Sequence, residues 1–206
     1  MSIIQQRVYL ASQSPRRREL LKQIGVNFEL LLLRSDHRRM EDVDETPRAG
    51  EPAEEYVQRI CKDKALAGWD ALLARNRPLF PVLAADTTVT LDGSILGKPR
   101  DREDAAAMLR QLSGRQHLVL SAVSVALDER IETRLSTTTV TFAALSEERI
   151  HRYLLTNEGH DKAGAYGIQG HAGAFAQRIE GSYSGVMGLP LFETVELLRA
   201  FGYPAP

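Results

Sequence analysis

Residues 82–96 read VLAADTTVTLDGSIL. Four apolar residues open the stretch as a buried strand, alternation follows, and Asp92-Gly93 is a strong two-residue hairpin signal. An antiparallel pair is therefore expected here. Asp86 stands where the unbroken apolar run ends.

Upstream, residues 53–69 turn helical, with Val57, Ile60, Cys61, Ala65 and Gly68 three or four apart. Lys64 falls on the same stripe. Nearer the start, residues 8–11 form a short apolar strand, Ser14 suits a helix N-cap and Pro15 the first helical position. Leu20, Leu21 and Ile24 make the buried stripe of that helix, and Gly25 stops it. Residues 28–33 read as the next strand, and residues 34–52 as a long polar loop with the acidic run EDVDE at 41–45.

Downstream, Asp101 caps a helix that runs to Leu112 and stops at Ser113-Gly114. Two β-rich segments follow at 118–127 and 131–143, Ser146 caps a short helix, and the last helix covers residues 190–201. Between them, residues 159–188 hold eight of the fifteen glycines. Those at 164, 167, 170 and 173 mark tight turns beside a ligand or another backbone. Strands mixed with helices and antiparallel hairpins give an α/β class with a mixed sheet. The strand order is not fixed by these signals.

The chain has 206 residues, 43% hydrophobic and 26% charged, with a formal net charge of -1. That balance fits one domain over residues 1–206, able to bury roughly 70% of its unfolded surface. It offers no bulk attraction to nucleic acid or an anionic membrane, so neither is an expected partner. One cysteine, Cys61, excludes a disulfide framework and fits a reducing cytosol. With no apolar run of membrane length, a soluble cytoplasmic protein is expected.

Charge must then act locally. In LASQSPRRREL, residues 10–20, arginines follow a Ser-Pro helix start, where backbone N–H groups and guanidinium forks both favour phosphate oxygens. Ser12 and Ser14 add hydroxyl donors. A capped, solvated helix start accounts for the same residues equally well. Lys64, on an apolar stripe, must snorkel or meet a counter-charge, and Lys98 and Lys162 are read equally as surface lysines. Asp86 ends an apolar strand, where open α/β sheets place their ligands, though a turn aspartate has the same look. Glu45 would join it around a hard cation such as Mg²⁺ or Mn²⁺ unless the loop acids are merely solvated.

Other chemistries fail on spacing. His37, His117, His151, His160 and His171 show no zinc pattern, GSYSG at 181–185 has Tyr183 where a hydrolase serine would stand, and neither a Walker A loop nor a dinucleotide fingerprint occurs.

Taken in order, LASQSPRRREL, VDE, EEYVQRICKDKA, AADTTV, GKPRD, MLRQLSG, DKAGAYGIQG and GLP resemble the Maf family of nucleoside triphosphate pyrophosphatases, from about residue 8 to residue 200. The resemblance implies an elongated mixed β-sheet with flanking helices, in two lobes around a central cleft, like that of inosine triphosphate pyrophosphatases. It implies hydrolysis of a nucleoside triphosphate to monophosphate and pyrophosphate with a divalent metal, in proteins that are often homodimers. By position, Ser12, Arg16 and Arg17 belong to the phosphate-binding loop, and Glu45, Lys64, Asp86, Lys98 and Lys162 to the polar cleft. Asp86 matches the proton acceptor, and the chemistry of the residues makes Asp86 and Glu45 the pair expected to hold the metal. Arg16, Thr87 and Gln169 stand at the positions that separate subgroups and carry the combination of the dTTP/UTP branch. Cys61 departs from the small residue, such as alanine, expected there. A nucleotide-binding regulator of septum formation and cell division, and a house-cleaning enzyme for modified pyrimidine nucleotides, are the rival readings.

Overall fold

The computed structural model describes residues 7–33 and 43–206. The first part of the loop expected at 34–52, with His37, lies outside them. The elements in order are β1 (Val8–Leu10), α1 (Pro15–Gln23), β2 (Phe28–Leu30), α2 (Ala53–Ala74), β3 (Val82–Leu91), β4 (Ser94–Leu96), α3 (Arg102–Leu112) and β5 (Gln116–Leu127), followed by β6 (Arg130–Phe142), α4 (Glu147–Leu155), β7 (Ala176–Glu180), α5 (Tyr183–Met187) and α6 (Leu191–Ala200). The seven strands form one mixed sheet in the order β2-β1-β3-β5-β6-β7, with β4 beside β3. β2, β1 and β3 are parallel neighbours, and every other pairing is antiparallel.

Local chemistry sets most boundaries. Asp92 and Gly93 both take positive φ, 52° and 78°, as a tight turn between β3 and β4 requires. Asp101 and Ser146 cap α3 and α4 by accepting from Asp104 N and Arg149 N. Gly25, at φ 68°, ends α1 while its N–H and that of Val26 reach back to the carbonyls of Lys22 and Leu21, as in a Schellman stop. Ser14 does occupy the N-cap position of α1, but its side chain makes no capping bond; instead its own N–H donates to Ser12 Oγ at 3.2 Å.

The strand expected at 28–33 stops at Leu30, and α2 continues five residues past Trp69. Gly68 lets α2 approach β3 closely, since a Cβ there would lie 2.7 Å from Val82 Cγ1. Among the described residues no helix is long and apolar enough to cross a membrane.

Strand alternation sends side chains to two faces. On one face Val82 and Ala84 meet Ala65, Trp69 and Leu72 of α2. On the other, Leu83 and Ala85 pack with Leu20 and Leu21 of α1 and Leu197 and Leu198 of α6. Further along that second face, Val89 and Leu91 belong to a separate core with Leu109, Leu112, Ile150 and Tyr153. Thr87 falls between these two cores. The threonines that made β3 look half-solvated, Thr88 and Thr90, are in fact buried.

Candidate active site

β1 pairs with β3 as far as Leu10 opposite Leu83, and β4 takes the same edge of β3 from Leu96 opposite Val89. Among the described residues, no strand pairs with that edge over residues 84–88. The other edge is paired continuously with β5 from Val82 to Thr90. An interruption in one edge leaves room beside Asp86 and Thr87, whose side chains leave β3 toward opposite faces. This is the carboxyl end of β1, where the chain turns from a parallel to an antiparallel neighbour and open α/β sheets receive ligands.

On the α2 face, Lys64 Nζ lies 2.7 Å from Asp86 Oδ1 and 2.8 Å from Glu45 Oε1. Lys64 thus meets counter-charges rather than snorkelling. Burial pulls its pKa down, but the two carboxylates outweigh that and leave it above the usual lysine value. Burial likewise pushes Glu45 up, while Lys64, then Lys98 and Arg17, bring it below the ordinary carboxylate range. The Glu45 side chain is half-exposed, so solvent screens part of this pairing.

Glu45 is held there by the loop that carries it. Arg59 of α2 grips Glu51 with both arms, Nε to Oε1 at 2.6 Å and Nη2 to Oε2 at 2.8 Å, and also donates to the Thr46 carbonyl. Tyr56 Oη donates to the Glu45 carbonyl at 3.0 Å. The loop is therefore stapled to α2 at Glu45 itself and in the residues that follow it.

The arginines of the SPRR turn are aimed by backbone carbonyls at the end of α5. Arg16 Nε donates to Met187 O at 3.2 Å, and Arg17 Nε to Gly188 O at 2.8 Å. Arg17 Nη1 also donates to Ser12 Oγ at 3.1 Å. Burial lowers the pKa of Arg17 while Asp86 opposes the shift, and a guanidinium stays charged in either case.

Beside them a cleft of about 380 Å³, counting its open mouth, is lined by Arg16, Thr87, Lys162 and Gln169, with Tyr166 and Met187 among the apolar walls. Residues from five separate parts of the chain meet there, Val119 of β5 among them.

Glu158, which sequence reasoning passed over, shapes the glycine-rich wall. Its Oε2 accepts from both the N–H and Nδ1 of His171 at 2.9 Å, and its Oε1 from Tyr153 Oη at 3.3 Å. Lys162 Nζ donates to the Glu158 carbonyl and to Asp161 Oδ1. A Cβ on Gly170 would overlap the Glu158 carboxylate. The recurrent glycines thus fold around a carboxylate and a valine, Val89 against Gly164, as well as around backbone. In sequence Glu158 is one acid before Gly159, and no spacing marks it.

A family model described as Maf-like protein matches residues 7–201. The chain belongs to the Maf-like family. Among its relatives, proteins named dTTP/UTP pyrophosphatase from Aromatoleum aromaticum and Chromobacterium violaceum are 56% and 48% identical, covering 99% and 100% of this chain and all of each relative. One of the same name from Nitrosomonas europaea is 55% identical, over 95% of this chain and 94% of its own. The solved Ham1 protein of Staphylococcus aureus is similar at a TM-score of 0.45 and 20% identity, over 67% of this chain and 72% of that one.

In this Maf-like protein the expected residues fall into two adjoining groups. Asp86, Lys64 and Glu45 meet directly, with Arg17 and Lys98 within electrostatic reach of Glu45. Arg16, Thr87, Lys162 and Gln169 share the cleft. Arg17, tied to Ser12 and Gly188, connects them, because Gly188 also lines the cleft. Cys61 sits buried beneath the first group, accepting from Ser124 Oγ at 3.1 Å, and burial pushes its thiol up to about 12. It packs as a small inert residue.

Among the described residues no three His, Cys, Asp or Glu side chains cluster as a metal cage. Two carboxylates turned to a single cation nevertheless match what Mg²⁺ or Mn²⁺ takes from protein when waters and phosphates supply the other ligands. The donor set fits a hard cation brought with a polyphosphate.

Proposed function

We infer that this chain is a nucleoside triphosphate pyrophosphatase that hydrolyses dTTP and UTP to the monophosphate and pyrophosphate. The observation that carries the reading is the meeting of Lys64, Asp86 and Glu45 at the interrupted edge of β3, next to a cleft holding Arg16, Lys162, Thr87 and Gln169. The names of the relatives support the substrate class.

In the reaction, a water oxygen bonds to the α-phosphorus and the bond from that phosphorus to the bridging oxygen breaks. Pyrophosphate leaves with the electron pair. Asp86 takes the water proton as general base, and Lys64 holds its carboxylate in place. Arg16, Arg17, Lys98 and Lys162 oppose the nearly four negative charges of the triphosphate and the charge that builds on the leaving oxygen. When bound, a divalent cation, Mg²⁺ or Mn²⁺, would be held by Asp86 and Glu45 and would supply Lewis-acid stabilisation of that charge. Gln169 presents its carboxamide donor and acceptor to the acceptor-donor-acceptor edge of uracil or thymine.

Pyrophosphate release from dTTP and UTP, with and without EDTA, tests the activity. In Asp86→Asn, turnover should fall about 10²–10⁴-fold while nucleotide binding persists. Near-normal turnover in that variant removes Asp86 from the role, and no release by the wild type removes the activity.

A further inference from the structure

Ser121 of β5 stands opposite Thr87 of β3 and is 1% exposed. Its Oγ donates to the carbonyl of Gly185 at 2.6 Å. A carbonyl only accepts, so the one serine proton is committed there. The contact between Thr87 Oγ1 and Ser121 Oγ, 2.9 Å, then has a single donor left, the threonine's own proton.

Gly185 O is further fixed because it also accepts from Gly188 N at 2.9 Å, in the last turn of α5. The relay therefore runs one way, from Thr87 to Ser121 to Gly185. Thr87 is half-buried and lines the cleft. With its proton turned inward, its oxygen meets a ligand only with lone pairs.

We propose that Ser121 is a positioning residue that fixes Thr87 as an obligate acceptor toward the nucleotide, so that this wall takes a ligand N–H, the imide of uracil or thymine, and rejects cytosine, which carries an acceptor at the same ring position. The inference rests on the nucleotide-site reading and deepens it. It supplies what Gln169 lacks, since a carboxamide can flip to suit either base, whereas a proton held by a buried neighbour cannot. A phosphate oxygen, itself only an acceptor, is excluded from the same spot. In a uridine or thymidine nucleotide the sugar hydroxyls are the other donors.

The test compares kcat/KM for UTP and CTP in the wild type, Ser121→Ala, Thr87→Val and Thr87→Ser. Loss of the directed acceptor should lower the UTP/CTP ratio by roughly tenfold in Ser121→Ala and Thr87→Val, mainly through KM, and Thr87→Ser should restore it. A folded Ser121→Ala with the wild-type ratio overturns the proposal. Should Ser121→Ala not fold, Thr87→Val decides, and an unchanged ratio there overturns it as well. If Thr87→Val instead erases a difference between dTTP and its 2′,3′-dideoxy analogue, the donor is the sugar and the imide assignment is wrong. Calorimetric binding of UTP and CTP in EDTA gives the same ratio without turnover, so a protein that prefers UTP yet releases no pyrophosphate would sink the enzyme reading alone.

Discussion

Lys64 on α2 holds its ammonium 2.7 Å from the Asp86 carboxylate on β3, so the helix and the strand are joined by an ion pair at the interrupted edge of the strand. The same ammonium serves Glu45 at 2.8 Å. One ammonium is therefore shared by the two carboxylates proposed to hold the metal, and one negative charge among the three groups is left uncompensated.

Removing that cation should separate binding from turnover. In Lys64→Met, Mn²⁺ binding without nucleotide, followed by electron paramagnetic resonance, should strengthen several-fold because nothing competes for the carboxylates. Turnover of dTTP should fall about 10²-fold for want of a fixed positive charge. Unaltered Mn²⁺ affinity would show that Lys64 does not stand between metal and protein.

The Arg59–Glu51 fork should matter more for activity than for stability. Arg59, and against it burial, sets Glu51, whose carboxyl is held down to about 2. Its folded pKa is below its unfolded value of about 4.3, so its contribution is present above that value and lost only as pH falls through about 2. The staple is thus intact wherever the enzyme works. Arg59→Lys keeps the charge but loses the fork, and kcat/KM for dTTP should drop roughly tenfold, with a modest fall in thermal midpoint because both side chains are largely buried. A wild-type kcat/KM would mean that Glu45 is positioned without it.

Glu158→Ala should leave the His171 N–H and the Tyr153 hydroxyl without their acceptor, at about 1–2 kcal/mol, or a thermal midpoint lower by about 2–8 °C. Nucleotide KM should rise with it, because Lys162 and Gln169 ride on the same segment. Gly170→Ala, which drives a methyl into that carboxylate, should be milder in the Glu158→Ala background than alone. Strict additivity in this cycle would uncouple the two positions.

His117 predicts the acid limb of stability. Burial pushes its pKa down to about 4, between Phe142 and Tyr166, with Nε2 against Tyr166 Oη at 2.9 Å. The unfolded chain binds this proton from about pH 6.5 downward and the folded one only near pH 4, so stability falls as pH drops through that window. The loss is on the order of 3 kcal/mol. Denaturant midpoints between pH 7.5 and 4.5 should show it, and His117→Leu should flatten most of the slope. An equal slope in the variant would assign it to other groups.

What was legible in the sequence was what neighbours in sequence decide. Asp92-Gly93, Gly25, Asp101 and Ser146 act within a few residues of themselves, and each does in the fold what its type requires. Ser14 holds the N-cap position of α1 without a capping bond, which its residue type alone does not foretell. β7 and α5 escaped notice because they are five residues each, without a clear period: β7 exposes the consecutive Gln177 and Arg178, and α5 begins inside the GSYSG stretch. Lys64 gave its position but not its partners, which come from a loop and a strand more than fifteen residues away on either side. Ser121 looked like one more small residue in an apolar strand. Only the fold brings Gly185, from the far side of β6, to its hydroxyl.

Because Asp86 and Thr87 are adjacent on one strand, a slip of β3 by a single residue against β5 would turn both side chains to the wrong face and leave at most one of the two places occupied by either residue. Nine consecutive cross-strand partners oppose such a slip. On the roles proposed above, reactivity and selectivity would therefore share one register: a substitution at 87 retunes the base accepted, while displacing that reader along β3 displaces the acid beside it.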